Sequence, residues 1–260
     1  MSSQHNSLRW RSGVNLVVIA AALVAITVIT NTYSFNLMLR NFRQSLSSTA
    51  QIYTEQIRGK VDKINSGSLE LVSLAASSQN YYTSSPLGRY LTQQDILTRL
   101  QDRIRYVESS DLYFFYRTDS DELLTALSNR PSTGSSYFWN QYLMLPPTQP
   151  ANTWFSVTCN GETWLMCYYN VSQVRVGAAV RAKTLLQSLY ADTGLVQDSG
   201  FALAGLDGTI VYSSQPDLMA CGTSLAGHIP ASLIVESHTV PEVGTLLLFR
   251  PSSDLLHQLS

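Results

Sequence analysis

The chain has 260 residues, 45% of them hydrophobic, and a net charge of −1. Charged residues make up only 13%, about half the usual share of roughly 25%. This size permits one large domain or two small ones, and so near-neutral a chain gives no argument for nucleic acid or another polyanion as partner.

The chain opens on an apolar run at 14–29, interrupted only by Asn15 and Thr27, with no charge between Ser12 and Leu39. A membrane span needs about 20 mostly apolar residues, and 13–33 supply them. No polar stripe marks the segment as a buried core helix. A signal peptide carries a shorter apolar region, about 7–15 residues, and then a small-residue cleavage site. Asn31, Thr32, Tyr33, Ser34 and Phe35 make a poor one, so the segment reads as an uncleaved transmembrane helix. Arg9 and Arg11 favour a cytoplasmic tail at 1–12, while Arg40 and Arg43 weaken the asymmetry. The weakly charged, Ser-, Thr- and Tyr-rich remainder favours an extracytoplasmic main domain.

A stalk helix is expected over 34–80. Leu39, Phe42, Leu46, Ala50, Tyr53, Ile57, Val61, Ile64, Ser68, Leu71 and Ala75 recur in steps of three and four, which is one helix face. Gly59 and Gly67 each weaken it by about 1 kcal/mol relative to alanine. A stripe this narrow fits a coiled-coil seam between two chains, so Leu39, Phe42, Leu46, Tyr53 and Ile57 are expected to support a homodimer. The other reading packs the helix along its own domain. Both hold if the first half pairs and the second half packs.

Beyond the stalk, a helix is expected over 93–108, capped by Thr92 and Asp95, with Ile96, Leu97, Leu100, Ile104 and Val107 inward. Strands follow at 112–117 and 122–127 around the turn Asp119-Ser120-Asp121. Residues 135–143 read as a short amphipathic helix, and Pro146, Pro147 and Pro150 punctuate a loop. Asn160-Gly161 between strands at 153–159 and 162–170 is the strongest short hairpin signal. A strand at 174–180 and a helix at 182–190 come next. The remainder reads as strands at 201–206, 209–213, 233–240 and 243–249, with Asp207-Gly208 as a hairpin turn. Helices followed by hairpin-linked strands give an α+β fold with antiparallel sheets, not a doubly wound parallel one.

Four stretches carry a family resemblance. They are the anchor running into a long helix; TWFSVTCNGETWLMCYYNV at 153–171 with VRVGAAVRAKTLLQSL at 174–189; SGFALAGLDGTIVYSS at 199–214; and LLLFRPSSDLLHQLS at 246–260. Together they resemble the double Cache extracytoplasmic sensor region of bacterial transmembrane receptors, most of all YesM-like sensor histidine kinases. The resemblance implies two PAS-like units in tandem: a membrane-distal one at 81–195 and a membrane-proximal one at 196–250. A lead-out at 251–260 would then run toward a second, missing transmembrane helix. It implies a small-molecule ligand and a signalling output, with chemoreceptors and membrane-bound transcription regulators as alternatives to the kinase. Amino-acid-binding members carry an arginine just before a Trp-aromatic pair. Here Ser136 and Tyr137 precede Phe138-Trp139, and Arg130 is too far upstream, which counts against an amino acid.

Catalytic chemistry is not indicated. There is no P-loop, GxGxxG after a strand, HExxH or GxSxG, so no catalytic residue, cofactor or enzyme activity is expected. His5, His228, His238 and His257 have no metal-ligand spacing, and Cys159, Cys167 and Cys221 form no CxxC pair, so no metal is expected. Asp119, Asp121 and Glu122 read as a solvated turn. A ligand-sensing domain is weighed against a membrane-anchored assembly protein that takes no small ligand. The aromatic residues point to a cleft in the distal unit. Alternation puts Tyr113, Phe115 and Arg117 on one face of their strand, the face expected to meet ligand, with Leu112, Phe114 and Tyr116 toward the core. Trp139, Tyr142, Trp154 and Tyr168 are expected to wall the same cleft, with Arg117 at its edge fixing an anionic or hydroxyl group.

Overall fold

The computed structural model describes residues 3–77, 85–106, 110–120, 122–128, 151–159, 161–191, 199–226 and 229–253. The chain divides into two units, Met1–Leu46 and Ser47–Ser260. One continuous helix, α1 (Ser3–Ser77), contributes to both. In the first unit its apolar side chains from Leu16 to Ile29 are exposed. Among the described residues it is the one helix long and apolar enough to cross a membrane.

Within the second unit the stripe of threes and fours is the buried face of α1. Ala50, Ile57, Ile64 and Ala75 are fully buried, with Tyr53, Val61, Ser68 and Leu71 nearly so. Full burial of one such aliphatic side chain stabilises by roughly 1.5–3 kcal/mol. Tyr53 and Ile57 therefore pack inside their own chain.

Helix α2 (Pro86–Tyr106) starts earlier than the sequence reading. Its cap is Ser85, whose Oγ accepts the Gly88 N–H at 3.2 Å, with Pro86 in the first turn where a missing N–H costs nothing. Thr92 is no cap: its hydroxyl donates back to the Gly88 carbonyl at 3.0 Å. Ile96 and Leu100 are buried, the helix packs on β1 and β2, and Arg103 forms an ion pair with Glu70 of α1.

Strands β1 (Leu112–Arg117), β2 (Glu122–Leu127), β3 (Phe155–Cys159), β4 (Glu162–Val171) and β5 (Val174–Arg181) form an antiparallel sheet in the order β2-β1-β5-β4-β3. β4 and β5 join through Ser172 and Gln173, Ser172 taking φ 55°. Gly161 turns the β3–β4 hairpin at φ 77°; Asn160 lies outside the described residues, as does the short helix expected at 135–143. The helix expected at 182–190 is two short ones, α3 (Ala182–Leu185) and α4 (Gln187–Ala191), broken at Leu186.

The second sheet comprises β6 (Gly200–Ala204), β7 (Ile210–Ser213), β8 (Leu233–Val240) and β9 (Gly244–Pro251) in the order β7-β6-β9-β8, all antiparallel. Gly208 turns β6 into β7 at φ 76°, and Glu242 turns β8 into β9 at φ 66°. His238 Nε2 lies 3.2 Å from Ser47 Oγ of α1, so the His238, Leu246 and Leu203 side of this sheet faces α1. Ala202, Ala204, Ile210, Met219, Leu247 and Phe249 build a core on the opposite side.

Candidate ligand-binding face

Register and contacts assign the two faces of the five-stranded sheet. The Tyr113 hydroxyl donates to the Ile64 carbonyl of α1 at 3.4 Å. Tyr113 pairs with Ala178, Ala178 with Cys167, and Phe115 with Val176. These residues form the inner, helix-facing side. Leu112, Phe114, Tyr116, Val157, Trp164, Met166, Tyr168 and Ala179 cluster on the outer side, with Leu123, Ala151 and Phe155 packed against them.

Among the described residues the expected aromatic cleft is not assembled. Tyr113 and Phe115 are 0% and 2% exposed on the inner face, where they pack as core. Trp154 also belongs there, its indole N–H donating to Asn65 Oδ1 of α1 at 3.2 Å. Arg117 shares their strand parity and binds Asp119 through a bidentate ion pair. Tyr168 lies on the opposite, outer face. Trp139 and Tyr142 lie outside the described residues. Both faces of β1 are therefore core: Leu112, Phe114 and Tyr116 are buried as expected, and Tyr113 and Phe115 are buried as well. A strand buried on both faces carries no polarity to tell them apart, and the arginine that suggested one finds its partner two residues along the chain.

The outer face carries two arginines among aromatic rings. On β5 it presents Arg175, Gly177, Ala179 and Arg181, two arginines bracketing two small residues. The Arg175 guanidinium lies 5.6 Å from the Tyr116 ring and 5.3 Å from the Tyr168 ring. It is buried, and such desolvation strengthens a cation over aromatic faces. Burial raises the Tyr168 pKa and the nearby Arg175 charge opposes that rise, so the phenol remains a neutral donor at physiological pH. Phe155 meets Tyr168 edge-on at 6.0 Å. At the other end, the Arg181 guanidinium lies 5.6 Å from the Trp164 ring. Its Nη2 and backbone N–H each donate to Asp111 at 2.8 Å, and that hydrogen bonding raises its pKa. Gly177 is required here. A Cβ would stand 2.2 Å from the Cys167 carbonyl and 2.9 Å from the Phe114 ring.

Sequence reasoning missed Tyr116, Trp164, Arg175 and Arg181 as members of one surface. The available signal was the strand pattern Arg-x-Gly-x-Ala-x-Arg at 175–181, which puts two cations and two small residues on one face.

No family model and no curated protein matches the sequence. Solved structures do match. The periplasmic sensory domain of the Campylobacter jejuni chemoreceptor Tlp1 superposes with a TM-score of 0.56 at 10% identity, over 85% of this chain and 99% of that one. The fold is that of two PAS-like units in tandem. The ligand-binding domain of the Pseudomonas aeruginosa chemoreceptor PctB in complex with L-Arg gives 0.49 at 13% identity, over 83% and 97%. The Vibrio cholerae LuxQ periplasmic domain gives 0.43 at 12%, over 80% and 98%. The α+β architecture expected from the sequence is present: a long N-terminal helix, then two antiparallel sheets.

Proposed function

We propose that this chain is the extracytoplasmic ligand-sensing region of a membrane receptor, and that it takes a small polar ligand on the outer face of the five-stranded sheet. The fold supports the first part. The observation that carries the second is the Arg175 guanidinium held between Tyr116 and Tyr168. A planar cation beside aromatic rings suits a ligand with one carboxylate or vicinal hydroxyls and a flat or apolar body. The helix around 14–30 anchors the chain with its N-terminus in the cytoplasm, and 81–195 and 196–250 are the membrane-distal and membrane-proximal units. Histidine kinase signalling is the proposed output of the full receptor, with chemotaxis the alternative. Homodimerisation through the stalk falls to Leu39 and Phe42, because Leu46, Tyr53 and Ile57 are buried within the chain.

A thermal-shift screen of the detergent-solubilised chain against small organic acids and sugars tests the reading, because a ligand of the folded state raises the unfolding midpoint. The expected result is a shift with one chemical class, lost in Arg175→Gln and kept in Tyr212→Phe. A shift that survives Arg175→Gln and disappears in Tyr212→Phe would move the site to the second sheet.

A further inference from the structure

A cleft of about 430 Å³ opens between the edge of the five-stranded sheet and the turns of the second sheet. That volume lies within the range of small-molecule sites, roughly 300–1,000 Å³. Trp154, Leu165 and Val243 contribute apolar wall, and Leu206 lines it while remaining 57% exposed. Ser156 adds a hydroxyl and Asp207 a carboxylate. The carboxylate is fixed: the Thr209 backbone N–H donates to Oδ1 at 3.0 Å and the Thr209 hydroxyl to Oδ2 at 2.9 Å. Each oxygen keeps acceptor capacity for a further donor. No lysine or arginine is among the described lining residues, so the charge the cleft presents is negative.

A chain of hydrogen bonds starts from the lining Trp154. Trp154 donates to Asn65 Oδ1, and Asn65 Nδ2 donates at 2.7 Å to Glu242 Oε2, next to the lining Val243. That chain of bonds ties β3, α1 and the β8–β9 turn together. Two further ties cross nearby: the Thr163 hydroxyl to the Val211 carbonyl at 3.0 Å, and the hydrogen bond between Tyr190 and Tyr212.

We propose that this cleft is a second binding site, which takes a small protonated amine with an apolar body: the ammonium donates to Asp207 and the body lies against Leu206, Leu165 and Val243. Occupancy holds the two sheets at a fixed separation, because both walls then touch one molecule. The site is independent of the outer-face ligand. Asp207-Gly208, a turn device in the sequence, therefore doubles as the group that recognises a cation.

The test uses 4-fluorophenethylamine and its neutral match, 2-(4-fluorophenyl)ethanol, observed by fluorine NMR with the full chain in detergent and a micelle blank. The amine signal should broaden saturably and the alcohol signal should not. Asp207→Asn keeps one of the two acceptors for Thr209 and removes the charge, so it should weaken the amine about tenfold. Ser156→Phe fills the cleft and should abolish binding, while Arg175→Gln should leave it unchanged. Equal broadening by wild type and Asp207→Asn overturns the proposal, as does no binding to wild type at the probe's solubility limit. Loss in Arg175→Gln alone overturns it too, by placing the amine on the outer face.

Discussion

At Asp111 the chain buries a carboxylate that accepts from the Arg181 backbone and side chain. Removing it leaves a guanidinium whose Nε has no hydrogen-bond partner among the described residues. Breaking one partner of such a pair costs about 3 kcal/mol or more, so Asp111→Ala should lower the unfolding midpoint by about 10 °C, read by thermal unfolding in detergent. Cys167 shows a second residue-scale effect. Burial, with Glu242 adding repulsion, pushes its pKa from the ordinary 9.0 up to about 12. The folded thiol keeps a proton that the unfolded thiol releases. Its contribution to stability is complete below pH 9.0 and is lost as pH rises toward about 12,. Iodoacetamide at pH 8 should label exposed Cys221 and spare Cys167 until denaturant is added; equal labelling of both in the folded chain would contradict the burial.

At the scale of the element, two helix glycines that look alike in sequence differ in structure. A Cβ at Gly59 meets nothing within 4 Å, whereas one at Gly67 would stand 2.5 Å from the Tyr113 hydroxyl. Gly59→Ala should stabilise by about 0.5–1 kcal/mol through helix propensity. Gly67→Ala should cost about 1–3 kcal/mol, because the buried phenol has no room to yield. Opposite shifts of the unfolding midpoint check the pair. The limits of β1, β2 and β8 were legible, since turn residues bound each apolar run. The start of α2 was legible as well, in Ser85-Pro86, but the more familiar Thr-x-x-acid spacing at Thr92 drew the boundary inward. What the elements concealed was side. β1 is buried along its whole length, so nothing in its residues says which face meets α1.

For the whole molecule, topology is the first test. Ser66→Cys and Ser232→Cys, both at exposed positions and in a Cys221→Ser background, should react with an impermeant maleimide on intact cells. Protection of both until lysis would reverse the orientation. Stalk pairing is the second. Leu39→Cys should crosslink in membranes far better than Gln44→Cys, and equal yields would argue against a defined seam. Both tests follow from the anchor and the stripe. The proposed ligand face, by contrast, needs β1 beside β5. That adjacency joins Tyr116 to Arg175 across a long stretch of intervening sequence, and local pattern holds no record of it.

Sequence alone determined the periodic and local features: the apolar helix, the stripe of threes and fours, the hairpins at Asn160-Gly161 and Asp207-Gly208, and an α+β fold with antiparallel sheets. Each depends on neighbours within a few residues, where backbone geometry and side-chain period act directly. Tertiary structure decided which face of the first sheet met the helix. It turned Tyr113, Phe115 and Trp154 to the helix and gathered Tyr116, Trp164, Tyr168, Arg175 and Arg181 on the other side. It also brought Asp207 opposite Ser156 across a cleft. These outcomes depend on strand order and on packing between segments far apart in the chain, which no single segment's composition encodes.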